Sequence, residues 1–186
     1  YALACAYRFP DIVKRCAVVC SLPPMDDAQG FQAINASYAR LFQLAKNMEP
    51  FYRVLMRGFF WLDSRREPEY YIRELAASMP IVDQKVMSNL EVFHSRSAMW
   101  DELRLNGSDT FVDEMVTLVK SWGFRLQSVQ CAVDIWWGES DTFSAPTVGK
   151  RMAEFIPNAT LHIEPQAGHL ILYSHWQAIL QHLAQA

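Results

Sequence analysis

Apolar residues follow two different periods along the chain. Short runs of β-branched and aromatic residues near both ends, within 13–21, 131–137 and 160–163, are typical of strands buried on both faces of a parallel sheet. Between 25 and 125 the apolar residues recur every three or four positions, as they do on one face of a helix. The pattern therefore predicts an α/β fold whose parallel sheet is interrupted by a helical insertion.

Helical periodicity places several elements within the insertion. Apolar positions that step by three and four from Phe31 to Met48 predict one helix that ends at Pro50. The same reasoning predicts further helices at 51–62, 69–78, 83–96 and 111–122.

Segments typical of a sheet core flank the insertion on both sides, so we expect one domain that carries a lid rather than two separable units. The predicted division is a core part at 1–24, a helical cap at 25–125 and a second core part at 126–186. The second part also holds helices after Pro146 and at the carboxyl end.

Composition and charge narrow the class of protein. A chain that is 51% hydrophobic and 20% charged is typical of a folded globular protein. The net charge of −3 lacks the basic field that nucleic-acid binding needs, and no stretch reaches the roughly 20 apolar residues of a membrane span. No basic segment precedes the first apolar residues as in a signal peptide. We therefore expect a cytoplasmic protein, and its start at Tyr1 rather than Met predicts a fragment of a longer one.

The cysteines do not suggest a scaffold. Cys5, Cys16, Cys20 and Cys131 are few and irregularly spaced, and no CxxC pair indicates zinc. We expect four buried thiols, with no metal and no organic cofactor.

Two isolated polar residues follow predicted strands. Asp141 comes after the strand at 131–137 and His169 after the strand at 160–163. Ligands of open parallel sheets bind beyond the carboxyl ends of the strands, where both residues would lie. A carboxylate that bonds one imidazole nitrogen fixes the tautomer and stabilises the imidazolium formed when the other nitrogen takes a proton. We expect Asp141 and His169 to act as such a pair.

The segments around both residues resemble the α/β-hydrolase family. WWGESDTFSAP is similar to the family's Gly-x-x-Asp turn that bears the triad acid, and PQAGHL is similar to the Gly-His loop that bears the triad base. The opening YALACAYRFP resembles the helix after the family's nucleophile elbow. The resemblance implies a partial α/β-hydrolase fold with a helical cap, in which Asp141 is the acid and His169 the base.

The family's nucleophile motif, Gly-x-Ser-x-Gly, is absent from the sequence. The resemblance therefore implies that the nucleophile and the oxyanion donors precede Tyr1, and that the fragment alone is inactive. A serine nucleophile implies hydrolysis of an ester, amide or related acyl bond in a small molecule. An Asp nucleophile, as in dehalogenases and epoxide hydrolases, or a Cys nucleophile stays open, as does a non-catalytic binding protein of the same fold.

Other residues have competing interpretations. Some members of the family carry the acid after the earlier strand, which nominates Asp26 or Asp27, although both are more simply explained as capping or solvated residues. No catalytic role is expected for the remaining histidines, of which the last two lie at surface or flank positions of the final helix: His94, His162, His175 and His182.

Candidates for a substrate pocket come from two places. Trp137 and Leu170 adjoin the loops that carry the acid and the base. Apolar residues of the cap could line the pocket from above, although core packing is the simpler role for most of them: Phe59, Phe60, Trp61 and Met115.

Overall fold

A parallel sheet forms one layer of the structure. The structure is a computed structural model that describes residues 1–25, 28–67 and 69–185. Its three strands lie in the order β1-β2-β3: Arg15–Val19, Ala132–Gly138 and Ala159–Glu164. All neighbouring strands are parallel. Strand β2 is almost wholly buried, which is why its sequence, apart from Asp134, is an apolar run rather than an alternating one. The predicted α/β class and the three predicted strands are confirmed.

Helices pack on the sheet and form a separate layer. In chain order the described helices are α1 (Ala2–Arg8), α2 (Ala28–Gln32), α3 (Ala36–Asn47), α4 (Glu49–Asp63), α5 (Tyr70–Ser78), α6 (Ile81–Met87), α7 (Leu90–Asn106), α8 (Ser108–Leu118), α9 (Pro146–Phe155) and α10 (Ile171–Leu183). Helix α1 packs on β1, α9 on β2 and β3, and α10 on β1 and β2. None of the helices in the described part of the chain combines the length and the apolar character that a bilayer crossing needs.

Helices α2–α8, which we call the cap, lie between β1 and β2 in the chain. They bury a hydrophobic cluster of their own, which we call the cap cluster. Trp100 lies at its centre, stacked on Tyr71 with ring centroids 4.0 Å apart and on Phe60 at 5.3 Å. Its indole Nε1 donates a 2.9 Å hydrogen bond to the buried carboxylate of Asp63. Because the indole N–H is satisfied, this aromatic core can be fully dry.

The single helix predicted from Phe31 to Met48 is wrong. The chain forms α2 and α3 instead, and between them Ile34 makes an antiparallel bridge with Ser144. Asn35 then caps α3, its side-chain oxygen accepting from the N–H of Ser37 at 3.0 Å. The apolar spacing continues through the break between α2 and α3 because Ile34 is buried there, next to Ser144, a partner distant in sequence.

The helix predicted at 83–96 is also divided. Helix α6 ends at Met87, and α7 begins after Asn89, whose side chain accepts from the N–H of Glu91 at 2.9 Å. A new cap and a change of direction cannot be seen in apolar spacing alone.

The prediction of four buried thiols is wrong in part. Cys16 and Cys20 are buried, Cys131 is half-buried and Cys5 is exposed. Cys5 lies on the short helix α1, between the buried Leu3 and Ala6.

Candidate active site

Asp141 and His169 meet at the carboxyl edge of the sheet. Asp141 follows β2, and its fully buried carboxylate Oδ2 lies 2.9 Å from Nδ1 of His169. The other oxygen, Oδ1, accepts from the N–H groups of Phe143 at 2.8 Å and Ser144 at 3.0 Å. A carboxylate held by these backbone donors is fixed in orientation and acts as acceptor for the Nδ1–H of His169.

This arrangement leaves Nε2 as the basic nitrogen of His169. The imidazole is partly exposed, at 32% of its side-chain surface, and among the described residues no hydroxyl is bonded to Nε2. A histidine whose Nδ1–H is engaged by a carboxylate can take a proton at Nε2 and return it. The geometry is therefore that of a general base and its orienting acid.

Beneath the Asp141–His169 pair, the backbone that follows β2 packs closely on the backbone of the loop that carries His169. The loop that carries His169, residues 165–170, is called the histidine loop. The N–H of Ser140 donates to the carbonyl oxygen of Ala167 at 3.0 Å. A Cβ built on Gly138 would lie 2.3 Å from the carbonyl oxygen of Gly168 and 2.5 Å from that of Ala167. Glycine at 138 thus permits the close approach that brings Asp141 to the histidine loop.

A buried cap carboxylate holds the histidine loop from the other side. Asp83 of α6, only 1% exposed, accepts from the N–H of His169 through Oδ2 and from the N–H of Leu170 through Oδ1, both at 2.9 Å. The sequence interpretation missed this role and placed Asp83 at the start of a helix. Its acidic side chain just after Pro80 is typical of a first helical turn, so local sequence gives no sign that it bonds a loop more than eighty positions away.

Aromatic rings link His169 to the cap. The ring of Phe143 lies 4.7 Å from that of His169, and the ring of Tyr38 in α3 lies 4.6 Å from that of Phe143. The N–H of Asn35 donates to the carbonyl oxygen of Phe143 at 2.8 Å. Phe143 and Tyr38 therefore form an aromatic wall that extends from the His169 imidazole into the cap.

Arg96 lies close enough to Tyr38 of this wall to act on it electrostatically. Its electrostatic influence reaches Tyr38 and Tyr71, where burial raises the pKa of both phenols, for Tyr71 to about 12, and the guanidinium opposes the rise. The Nε of Arg96 is buried and has no hydrogen-bond partner among the described residues. A buried arginine Nε–H without an acceptor is suited to an anionic group of a ligand.

A thiol lies under the acid–base pair. Cys20 directly follows β1 and has a φ of +42°, and its Sγ is 3.7 Å from the carbonyl oxygen of Gly168. Ligand atoms of Cys20, Asp141 and His169 all lie within 4.8 Å of one another. Burial, first of all, and the negative charge of Asp141 raise the pKa of this thiol far above its ordinary value, so it stays neutral beside the pair.

The predicted pocket residues near the loops are both buried. Trp137 is fully buried beneath α9, where its Nε1 donates to the carbonyl oxygen of Ser144 at 2.8 Å. Leu170 is 4% exposed and joins the cap cluster. Trp137 thus supports the turn after Asp141, whereas Leu170 connects the histidine loop to the cap.

The predicted pocket residues of the cap are separated by the structure. Phe60 is buried in the stack around Trp100, and Phe59 packs edge-on against the same ring at 6.2 Å. Met115 is half-buried beside them, and Trp61 is 57% exposed. The alternative acids Asp26 and Asp27 lie outside the described residues.

The chain resembles known proteins in sequence and in structure. No family model matches the chain. A 2-hydroxy-6-oxononadienedioate/2-hydroxy-6-oxononatrienedioate hydrolase of Cupriavidus pinatubonensis is 31% identical over 111 residues, which cover 53% of this chain and 38% of that protein.

Solved structures match the chain over almost its full length. They include the N-acyl homoserine lactone degrading enzyme Est816 (TM-score 0.59, 17% identity, 97% of this chain and 61% of that one), a hydrolase from Oleispira antarctica (0.57, 14%, 97% and 60%) and an esterase from Exiguobacterium antarcticum (0.54, 13%, 98% and 62%). The chain spans about 60% of the length of these structures.

Further structural matches are named as α/β-hydrolase fold proteins, among them one from Nakamurella multipartita. In this chain the parallel strands lie in the order β1-β2-β3, and a helical layer lies between β1 and β2 in the sequence. The chain has a partial α/β-hydrolase fold.

Proposed function

We propose that the full-length protein carrying this chain hydrolyses an acyl bond of a small molecule through a Ser-His-Asp triad in which Asp141 is the acid and His169 the base. The observation that carries the proposal is the 2.9 Å contact between Nδ1 of His169 and the fully buried carboxylate of Asp141. A buried carboxylate held by two backbone N–H groups is well suited to stabilising an imidazolium.

The chemistry proceeds in two steps. Nε2 of His169 takes the proton of a serine hydroxyl as that oxygen attacks the acyl carbon, and then gives it to the leaving group. His169 next takes a proton from water, whose oxygen attacks the acyl-enzyme, and returns that proton to the serine. We assign the serine to a Gly-x-Ser-x-Gly turn that precedes Tyr1, together with the oxyanion donors.

Arg96 supports a substrate that carries a carboxylate. Its buried Nε has no acceptor among the described residues, and its charge acts on Tyr38 of the Tyr38–Phe143 wall that begins at His169. The Cupriavidus relative is named for a dicarboxylate with an oxo group, so a carbonyl compound bearing a carboxylate agrees with both observations. The name of Est816 supports an acyl substrate more generally.

A serine-directed fluorophosphonate tests the chemistry on the full-length protein. We expect covalent labelling of one serine, found by mass spectrometry within the upstream glycine-flanked turn. The variant His169→Gln should label far more slowly, because the hydroxyl loses its base, whereas His175→Gln should label as the parent protein does.

Alternative chemistries give different outcomes. An Asp nucleophile would leave the reagent unreacted while the protein hydrolyses a haloalkane or an epoxide. A Cys nucleophile would react with iodoacetamide at the same turn. A binding protein without catalysis would do none of these, and any of the three results would overturn the serine mechanism.

A further inference from the structure

A second group of polar side chains lies on the face of the sheet that α10 covers. The parallel register places Asp134 of β2 beside Ala17 of β1, and it pairs Trp136 with His162 of β3. Because side chains alternate along a strand, Asp134, Trp136 and His162 share one face. His182 reaches the same point from the last turn of α10.

The geometry of this group is compact. Oδ1 of Asp134 lies 3.1 Å from Nε2 of His162 and 3.5 Å from Nδ1 of His182. These atoms all lie within 4.8 Å of one another. The His162 ring is held in place by stacking on Trp136, with centroids 4.0 Å apart and planes 14° apart.

We propose that Asp134, His162 and His182 form a zinc site. Two imidazole nitrogens and a carboxylate oxygen are ligands that Zn²⁺ accepts, with water in the fourth position. In a tetrahedral zinc site the ligand atoms lie about 3.3 Å apart. Two of the three separations, 3.1 Å and 3.5 Å, are within about 0.2 Å of that value, and the third, between the two imidazole nitrogens, is within 4.8 Å, so a metal ion could enter with side-chain movements alone.

Arg15 fixes the orientation of the Asp134 carboxylate, and it bonds a different oxygen from the one that faces the two histidines. Its Nε donates to Oδ2 of Asp134 at 2.7 Å, which leaves Oδ1 directed at the histidines. Carboxylates that bind metals are usually fixed by such an outer hydrogen bond.

The position indicates a structural metal rather than a catalytic one. Asp134 precedes the end of β2 by four residues, about 13 Å along the strand from the edge that carries Asp141. A metal bound there would join β2 and β3 to α10, which begins directly after the histidine loop. Occupancy should therefore stabilise the fold, with no requirement for metal in hydrolysis.

Calorimetric titration of the metal-free full-length protein with ZnCl₂ tests the site. We expect Zn²⁺ to bind and to raise the midpoint of thermal unfolding. The variants His182→Gln and His162→Gln should each weaken that binding by at least about tenfold and remove the thermal shift. His182 is partly exposed in the last helical turn, so His182→Gln should fold normally, and the exposed His94→Gln is the matched control.

A second cluster must be distinguished from this one. Cys20, Asp141 and His169 could also hold a metal ion. Loss of zinc binding in His169→Gln with retention in His182→Gln would assign the metal to the active site and overturn the proposal. So would a parent protein that binds no Zn²⁺, or binding that survives unchanged in both His162→Gln and His182→Gln.

Discussion

The carboxylate of Asp83 and the backbone N–H of His169 are joined by a 2.9 Å hydrogen bond that runs from the cap to the histidine loop. The same carboxylate also accepts from the N–H of Leu170, the residue that caps α10. Donors at a helix N-terminus favour a negative charge, which is how Asp83 can be buried without a cation beside it in the described part of the chain. The place of the His169 imidazole therefore depends on the position of α6.

Replacing Asp83 by Asn should loosen this connection. An amide offers one acceptor oxygen in place of two, so one backbone N–H of the histidine loop is left without a partner. We expect a loss of about 1–3 kcal/mol in the free energy of unfolding and a lower kcat, measured by urea denaturation and ester turnover. Glu91→Gln, an exposed acidic residue of α7, is the control, and equal behaviour of the two variants would show that Asp83 does not hold the loop.

Two glycines offer a matched pair of substitutions. A Cβ at Gly168 would lie 2.4 Å and 2.5 Å from the carboxylate oxygens of Asp83, whereas a Cβ at Gly58 in α4 meets nothing within 4 Å. Gly168→Ala should destabilise the protein by about 1–3 kcal/mol. Gly58→Ala should stabilise it by about 0.5–1 kcal/mol, because alanine loses less backbone entropy in a helix. Thermal unfolding of both variants checks the signs, and a harmless Gly168→Ala would contradict the packing described.

Cysteine reactivity should follow burial. Burial raises the pKa of Cys16 to about 12 and raises that of Cys20 as well. A thiol with a pKa of about 12 is only about one part in ten thousand thiolate at pH 8, and the thiolate is the reactive form. Iodoacetamide at pH 8 should therefore modify the exposed Cys5 well before Cys16 or Cys20, as followed by peptide mass spectrometry. Early modification of Cys20 would mean that the space under Asp141 and His169 is open to solvent.

Arg96 should matter only for charged substrates. If its guanidinium binds a substrate carboxylate, Arg96→Met should raise KM at least about tenfold for an ester that carries a carboxylate. A neutral ester of the same size should show little change. Arg73→Gln removes an exposed arginine that pairs with Glu69 and serves as the control. An equal effect of Arg96→Met on both esters would assign Arg96 to cap packing instead.

Part of this structure was predictable because its signals are local. The apolar run of β2, which only Asp134 interrupts, is enough to predict a buried parallel strand, and the turn and loop sequences around Asp141 and His169 are enough to pair them. The break at Ile34 was not predictable, because it depends on a bridge to Ser144 that lies far along the chain.

The same limit applies to the polar contacts inside the fold. Asp83 was missed because a buried carboxylate and an exposed one look alike in sequence, and only the folded chain brings two N–H donors to it. The sequence favours non-catalytic positions for His162 and His182, because the first lies in a short strand and the second on the last helix. Their meeting at Asp134 follows from strand register and from the docking of α10.

Steady-state hydrolysis of a small nitrophenyl ester by the full-length protein tests the central assignment most directly, with His169→Gln and Asp141→Asn compared against His175→Gln. Loss of the base or of its correct tautomer should lower kcat/KM by about 10³–10⁴, while His175→Gln stays near the parent value. Far-UV circular dichroism should show all three variants folded. Undiminished turnover in folded His169→Gln would contradict the account.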